Sequence, residues 1–311
     1  MSVLRRVRRF AGLVAEGVAP LPLAQLRLRR SARHPVTFTQ KVLHKMAHDR
    51  RPILRQFADK AAAREYIAER VGGEYLTAVY SITADPVAID WDALPREFVA
   101  KATHGSGNVV IVSSAAPAES RLPSRAPKGW HRYLVRPETV DRAALTALME
   151  QWMSSDYYAR PGKLPEWCYR GIRPQILIEE LLVAERGEIP IDYKFFTFDG
   201  MCRFIQVESQ RATDHRRDTF APDWTSIDST GNYPRSATVP PRPKNLAAMV
   251  DIAEKLGRGI DFVRVDLYSI GERIVFGELT NYPEGGRLTI TPPEFDRVWG
   301  SYWTLPTGRL R

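Results

Sequence analysis

The chain has 311 residues, of which 44% are hydrophobic, 26% charged and 10% aromatic, and this composition excludes the disordered, collagen-like and membrane-spanning classes. No run of about 18 apolar residues is present and the first residues lack the apolar core and cleavage site of a secretory signal, so the bulk of the chain is expected in the cytoplasm. The net charge of +9 argues against a nucleic-acid-binding body because seven of those charges fall within residues 1–34, and the two cysteines, Cys168 and Cys202, are too far apart for a disulfide framework or a structural zinc site.

Residues 1–36 read as a basic extension. Arg5, Arg6, Arg8, Arg9, Arg27, Arg29, Arg30 and Arg33 face the single acid Glu16, and Leu4, Val7, Phe10, Val14 and Val18 recur at helical spacing between them. That pattern suits a helix lying on an anionic bilayer, and more simply an arm or a helix covering the core. Residues 37–93 read as a helical lead-in: Val42, Leu43, Met46, Leu54, Phe57, Ala61 and Ile67 point inward, Gly72 and Gly73 stop the helix, and a strand runs from Tyr75 to Ser81. In 94–182, Phe98 to Lys101 and Asn108 to Val112 form a hairpin around a glycine loop. Residues 114–128 form a surface insertion, 137–157 are helical, and Gln175 to Leu182 is an apolar strand closed by two acids. In 183–311, Tyr193 to Phe198 turns through Asp199-Gly200 into Cys202 to Val207, and an arginine-rich loop spans 211–235. Asn245 caps a helix ended by Gly257, and Val263 to Tyr268 pairs with Arg273 to Leu279. Intermixed strands and helices without a repeat indicate an α+β body of subdomains with a mostly antiparallel sheet.

Several familiar motifs fail. Gly105-Ser106-Gly107 is neither GxxxxGK[ST] nor a complete GxGxxG, and a strand follows where both demand a helix. HExxH and GxSxG are absent, which leaves zincin and serine-hydrolase chemistry unsupported. Asp90-Trp91-Asp92 has the form of a nucleotide-sugar metal motif, but it leads directly into Ala93-Leu94-Pro95 as a helix cap or turn would. It keeps a glycosyltransferase as an alternative.

The remaining features suit magnesium-bound ATP. Lys101 ends an apolar strand, where a fixed ammonium meets a phosphate, and His104-Gly105-Ser106-Gly107 exposes backbone N–H groups that small residues let approach phosphate oxygens, although such a loop can also be only a hairpin turn. Asp266 and Glu278 lie on the two strands of one hairpin, where facing positions bring both carboxylates to the same magnesium ions. An acid on an otherwise apolar strand needs a partner.

The order of these parts resembles the ATP-grasp superfamily, and in detail the TupA-like ATP-grasp family, named for teichuronopeptide biosynthesis. The resemblance covers roughly Thr37 to Pro306. It rests on Phe57-Ala58-Asp59-Lys60, on Leu94 through Gly107, on Pro174 to Leu182, on Asp192-Tyr193-Lys194-Phe195-Phe196, on Pro243 to Leu246, on Phe262 to Tyr268 and on Phe276-Gly277-Glu278-Leu279-Thr280. It implies a nucleotide clasped between two α+β subdomains, one with a glycine lid and one with a metal site. Lys60 and Lys101 would contact phosphates under a lid of residues 104–107. Glu179, Glu180 and Leu182 would read adenine, and Asp192 the ribose. Lys194 would point to the phosphates or an acyl phosphate. Asp266 and Glu278 would hold magnesium, with Thr280 standing where the superfamily usually has Asn and Asn281 next to it. Arg211, Arg264 and Arg287 would grip an anionic substrate or the transferring phosphoryl group. The implied activity is a carboxylate–amine ligase acting through an acyl phosphate on a cell-surface polysaccharide or its precursor, with an amino acid joined to a uronic acid. A sugar kinase or a non-catalytic scaffold would share the fold. The basic arm would permit peripheral contact with the inner face of the membrane.

Overall fold

A computed structural model of the protein describes residues 34–124, 127, 129, 131–160, 163–184, 189–210 and 214–306. Nearly all of the basic extension and Arg211 lie outside these residues. Among the described residues, no helix is long and apolar enough to cross a membrane.

Three helices open the chain. Thr37 and Gln40 form a reciprocal capping box that starts α1 (Phe38–His48). After α2 (Ile53–Ala58), Asp59 ends one helix and caps the next, accepting from Ala61 N at 3.0 Å, so α3 (Lys60–Arg70) begins after a single-residue corner with Lys60 at its first turn. The strand expected over Tyr75 to Ser81 begins later. Residues 73–75 make one helical turn, and β1 spans Val79–Thr83.

Two sheets follow. The first contains β1, β2 (Phe98–Ala102), β3 (Val109–Val112), β4 (Arg132–Val135) and β5 (Ile176–Glu179) in the order β1-β5-β2-β3-β4, with β3 and β4 parallel and the other pairs antiparallel. Alternation decides its faces. Phe98, Ala100, Ala102, Val110, Val112, Ile176 and Ile178 form a core with Leu145, Leu148, Met149 and Trp152 of α4 (Arg142–Met153). Val99, Lys101, Leu177 and Glu179 point the other way.

The second sheet is wholly antiparallel, ordered β11-β10-β6-β7-β8-β9. Its strands are β6 (Asp192–Phe198), β7 (Met201–Ser209), β8 (Arg216–Phe220), β9 (Ser226–Ile227), β10 (Phe262–Ile270) and β11 (Arg273–Thr280). Tyr193, Phe195, Val207, Val263, Val265 and Leu267 pack beneath α5 (Leu246–Gly257). The opposite face is divided. At one end Phe196, Phe198, Phe204 and Phe262 bury against Phe38 of α1 and Trp299 of α6 (Glu294–Ser301). Phe38 meets the three strand rings Phe196, Phe198 and Phe262 edge-on at 5.1–6.0 Å, and Phe204 stacks on Trp299 at 4.0 Å. The lead-in helices α1 and α2 thereby join the core of the second sheet. At the other end of the same face the aromatics give way to charged side chains.

Candidate active site

Strand register builds the charged end. Directly opposed residues share a face, and three rows cross the sheet: Thr280–Arg264–Phe196–Phe204, Glu278–Asp266–Lys194–Gln206–Thr219, and Tyr268–Asp192–Glu208–Arg217. A bulge after Asp266 resets β11, with Gly277 at the irregularity. A Cβ there would lie 3.1 Å from the Asp266 carbonyl oxygen and 3.0 Å from the Tyr268 ring, so glycine lets the two strands close and keeps Glu278 opposite Asp266.

The charges are interlocked. Lys194 Nζ donates to Asp192 at 2.6 Å and to Asp266 at 2.8 Å. Arg264 grips both Asp266 oxygens, at 2.7 and 2.6 Å, and its Nη2 reaches Glu278 at 2.8 Å, while the Thr280 hydroxyl donates to the same Glu278 oxygen. Burial favours the neutral forms of Asp266 and Lys194, yet the opposing charges win. Asp266 is held below the usual carboxylate range by Arg264 and Lys194, and Lys194 is raised by Asp192 and Asp266. Glu208 continues the network, accepting from Arg217 Nε at 2.9 Å and lying 3.2 Å from His215, whose ring stacks on Tyr233 at 3.7 Å.

This face forms one wall of a cavity of about 370 Å³. Lys194, Arg264, Glu278, Thr280, Glu208 and Arg217 line it, Lys60 and Ser106 close it from the first-sheet side, and Tyr157, Glu166, Cys168 and Tyr169 form a further wall with Arg287 and the 281–285 segment. Lys60 donates to the Gly105 carbonyl, fixing the glycine loop over the cavity, and burial pushes its ammonium down to about 8. Gly107 has φ of 104°, which requires glycine. Asn281 is buried, its amide nitrogen donates to the Leu54 carbonyl at 2.8 Å, and the residue lines the cavity beside Cys168. Thr280 and Asn281 therefore both reach the cavity.

Other anticipated residues do not line the cavity itself. Lys101 is paired with Glu179 across β2 and β5, and Thr77 and Arg64 also hold that buried carboxylate. Glu180 lies just beyond the end of β5. Its N–H donates to the Ala78 carbonyl, and its carboxylate takes two hydrogen bonds from Arg273, at 2.5 and 2.9 Å, tying β11 to the exit of β5. Leu182 follows half-buried. The His104 ring is turned into the body, 3.0 Å from the Trp152 carbonyl, with burial lowering its pKa, so this residue presents its backbone rather than its imidazole to the loop. Asp192 and Asp266 stand behind Lys194 and Arg264. Asp90 receives the Asp92 and Ala93 N–H groups in a turn, and the Asp92 side chain is exposed beside Arg142, so the DxD triplet lies outside the cavity.

A family model described as TupA-like ATPgrasp matches residues 40–304. The chain belongs to the TupA-like ATP-grasp family. No curated protein sequence matches it. Among solved structures, this TupA-like chain is similar to D-alanine–D-alanine ligase from Bacillus anthracis at 13% identity, over 73% of this chain and 56% of that one, with a TM-score of 0.38. It is also similar to the ATP-grasp ligase PsnB complexed with a minimal precursor (10% identity, 74% and 54%, TM-score 0.40) and to the D-cycloserine synthetase DcsG (13%, 81% and 70%, 0.40). The chain spans about half the length of the first two of these neighbours.

Within this TupA-like ATP-grasp chain, the two carboxylates anticipated for a metal suit one. Asp266 and Glu278 already share a single cationic group, Arg264 Nη2, at 2.6 and 2.8 Å. Magnesium is commonly held by one or two carboxylates with phosphate oxygens and water completing its shell. Among the described residues there is no cluster of three His, Cys, Asp or Glu side chains that would form an all-protein cage.

Proposed function

We propose that the cavity binds magnesium-ATP and that the protein is an ATP-dependent carboxylate–amine ligase. The observation carrying this reading is the row Glu278–Asp266–Lys194, in which Glu278, Lys194 and the flanking Arg264 face Lys60 and Ser106 of the glycine loop across one cavity, with Asp266 behind them. Asp266 and Glu278 would hold magnesium, with Thr280 or Asn281 as the further protein oxygen, and the ion would neutralise charge on the phosphates. Lys60, Lys194 and Arg264 place three cations where negative charge gathers on a transferring phosphoryl group, in a setting dry enough to strengthen each interaction. Residues 104–107 would act as the lid, Lys101 would contact the phosphates, Glu179, Glu180 and Leu182 would border the adenine, and Asp192 would take the ribose.

A substrate carboxylate attacks the γ-phosphorus, forming the acyl O–P bond as ADP leaves. An amine then displaces phosphate to give the amide. Arg287 suits the incoming carboxylate, because it lines the cavity and a planar guanidinium matches the two oxygens of a carboxylate. The family's name supports a cell-surface polysaccharide or its precursor as the substrate, with a uronic acid and an amino acid as the partners joined, and the arginine-rich residues 1–34 suit contact with an anionic membrane surface. Trapping with hydroxylamine tests the chemistry. Full-length protein, magnesium-ATP and uronic acids should give a hydroxamate in amounts equal to the ADP formed. ADP with phosphate retained on a sugar hydroxyl, and no hydroxamate, would make the protein a kinase instead.

A further inference from the structure

Four carboxylates line the cavity, and three are committed. Glu278 is held by Arg264 and Thr280 at the metal end. Glu208 takes two hydrogen bonds from Arg217 and one from His215. Glu284 pairs with Arg217 at 3.1 Å. Glu166 differs. It is 8% exposed and bordered by Tyr157, Cys168, Tyr169 and Tyr282, with one hydrogen bond to its Oε1, from Arg160 at 2.8 Å. No hydrogen bond reaches its Oε2 among the described residues, and although it precedes a short helical turn its side chain does not cap it. The loop after β11 backs it, since a Cβ on Gly285 would lie 3.4 Å from Oε1. A mostly buried carboxylate with one oxygen turned to a polar cavity is placed to accept a hydrogen bond from a ligand there.

An amide-forming ligase needs such a group, because its second substrate arrives as an ammonium and must lose a proton before it can attack. We propose that Glu166 receives the ammonium of the acceptor amine through Oε2 and takes its proton, an inference that rests on the ligase reading. The freed amine nitrogen attacks the acyl carbon, the C–N bond forms, and the C–O bond to phosphate breaks with its electron pair on phosphate. The remaining proton on nitrogen goes to the departing phosphate. The products are the amide, hydrogen phosphate and the proton on Glu166, which solvent removes. Burial pushes Glu166 up to about 7 against the pull of Arg160, Arg287 and Lys163, which places its proton exchange near neutrality. The charged groups facing it are Arg160 before it, Lys163 on its own segment and Arg287 from the loop after β11, and the neighbouring Tyr157, Tyr169, Tyr282 and Cys168 stay neutral because burial raises their pKa values.

The test measures binding of glutamate, alanine, lysine and ethanolamine to the full chain by saturation-transfer NMR, with and without magnesium-AMPPNP, at pH 6 and pH 8. At least one amine should bind the wild-type protein and bind more tightly at pH 8. In Glu166→Gln its affinity should fall about tenfold or more at pH 8, with the pH dependence gone and the thermal shift by magnesium-AMPPNP unchanged. Glu166→Asp should retain the pH dependence, which keeps the outcome readable if the glutamine variant folds poorly. Failure of all four amines to bind, or equal binding by wild type and Glu166→Gln, overturns the proposal. Absence of any nucleotide shift in the wild-type protein counts against the ligase reading itself and is read separately from the amine titrations made without nucleotide.

Discussion

Lys60 carries a cost in the free protein that a bound polyanion would relieve. Its folded pKa of about 8 lies below the ordinary lysine value, so the penalty for keeping it charged is constant below pH 8 and disappears as pH rises toward 10.5. Lys60→Met should therefore raise the stability of the ligand-free protein at pH 7 by roughly 1–3 kcal/mol while weakening magnesium-ATP. Denaturant unfolding and nucleotide titration of the same variant check both halves, and equal or lower stability would contradict the account. Glu166 behaves with the opposite sign. Its folded pKa is raised from 4.5 to about 7, so folding loses stability as pH climbs through that window. Glu166→Gln should melt higher than wild type at pH 8, by up to about 3 kcal/mol, and show no such advantage at pH 4. Melting curves across pH decide this.

At the scale of elements, the hairpins were legible because their alternation is regular. β2–β3, β6–β7 and β10–β11 stand where the apolar periodicity puts them, and with them come the facing positions of Asp266 and Glu278. β8 was hidden inside an arginine-rich stretch, since Arg217 and Asp218 are buried by ion pairs and not by apolar contact. With β8 unseen, the partners of Glu208 could not be found. Glu166 and Arg160 lie on a segment without periodicity, and only the folded chain brings them to the cavity. Asn245 shows how a local rule yields to tertiary context. It stands at the start of α5, yet its amide donates to Ser269 and Gly271 across the β10–β11 turn and caps nothing. Close packing makes one helix position predictable. A Cβ on Gly257 would sit 2.6 Å from Thr197 Oγ1, so Gly257→Ala should cost about 1–3 kcal/mol by forcing α5 off the sheet, measurable by denaturant unfolding.

For the molecule as a whole, a buried ionic knot joins its ends. Lys45 of α1, 1% exposed, binds Asp49 at 3.0 Å and Asp261 at 2.7 Å, Arg51 also binds both aspartates, and Trp303 donates to Asp261 at 2.9 Å. Lys45→Met would leave buried carboxylates under-compensated and should destabilise the fold by about 3–5 kcal/mol, although it lies outside the cavity and should leave nucleotide affinity of the folded protein intact. The same sheet that this knot anchors presents its charged half to the cavity, so the aromatic end sets the position of the rows that would meet ATP. Isothermal titration calorimetry of magnesium-ATP with wild type and Glu278→Gln tests that claim most directly. Binding to wild type that requires magnesium and weakens about tenfold or more in the variant is the predicted result. No binding to wild type, or unchanged affinity in Glu278→Gln, would contradict the assignment of this cavity as the nucleotide and metal site.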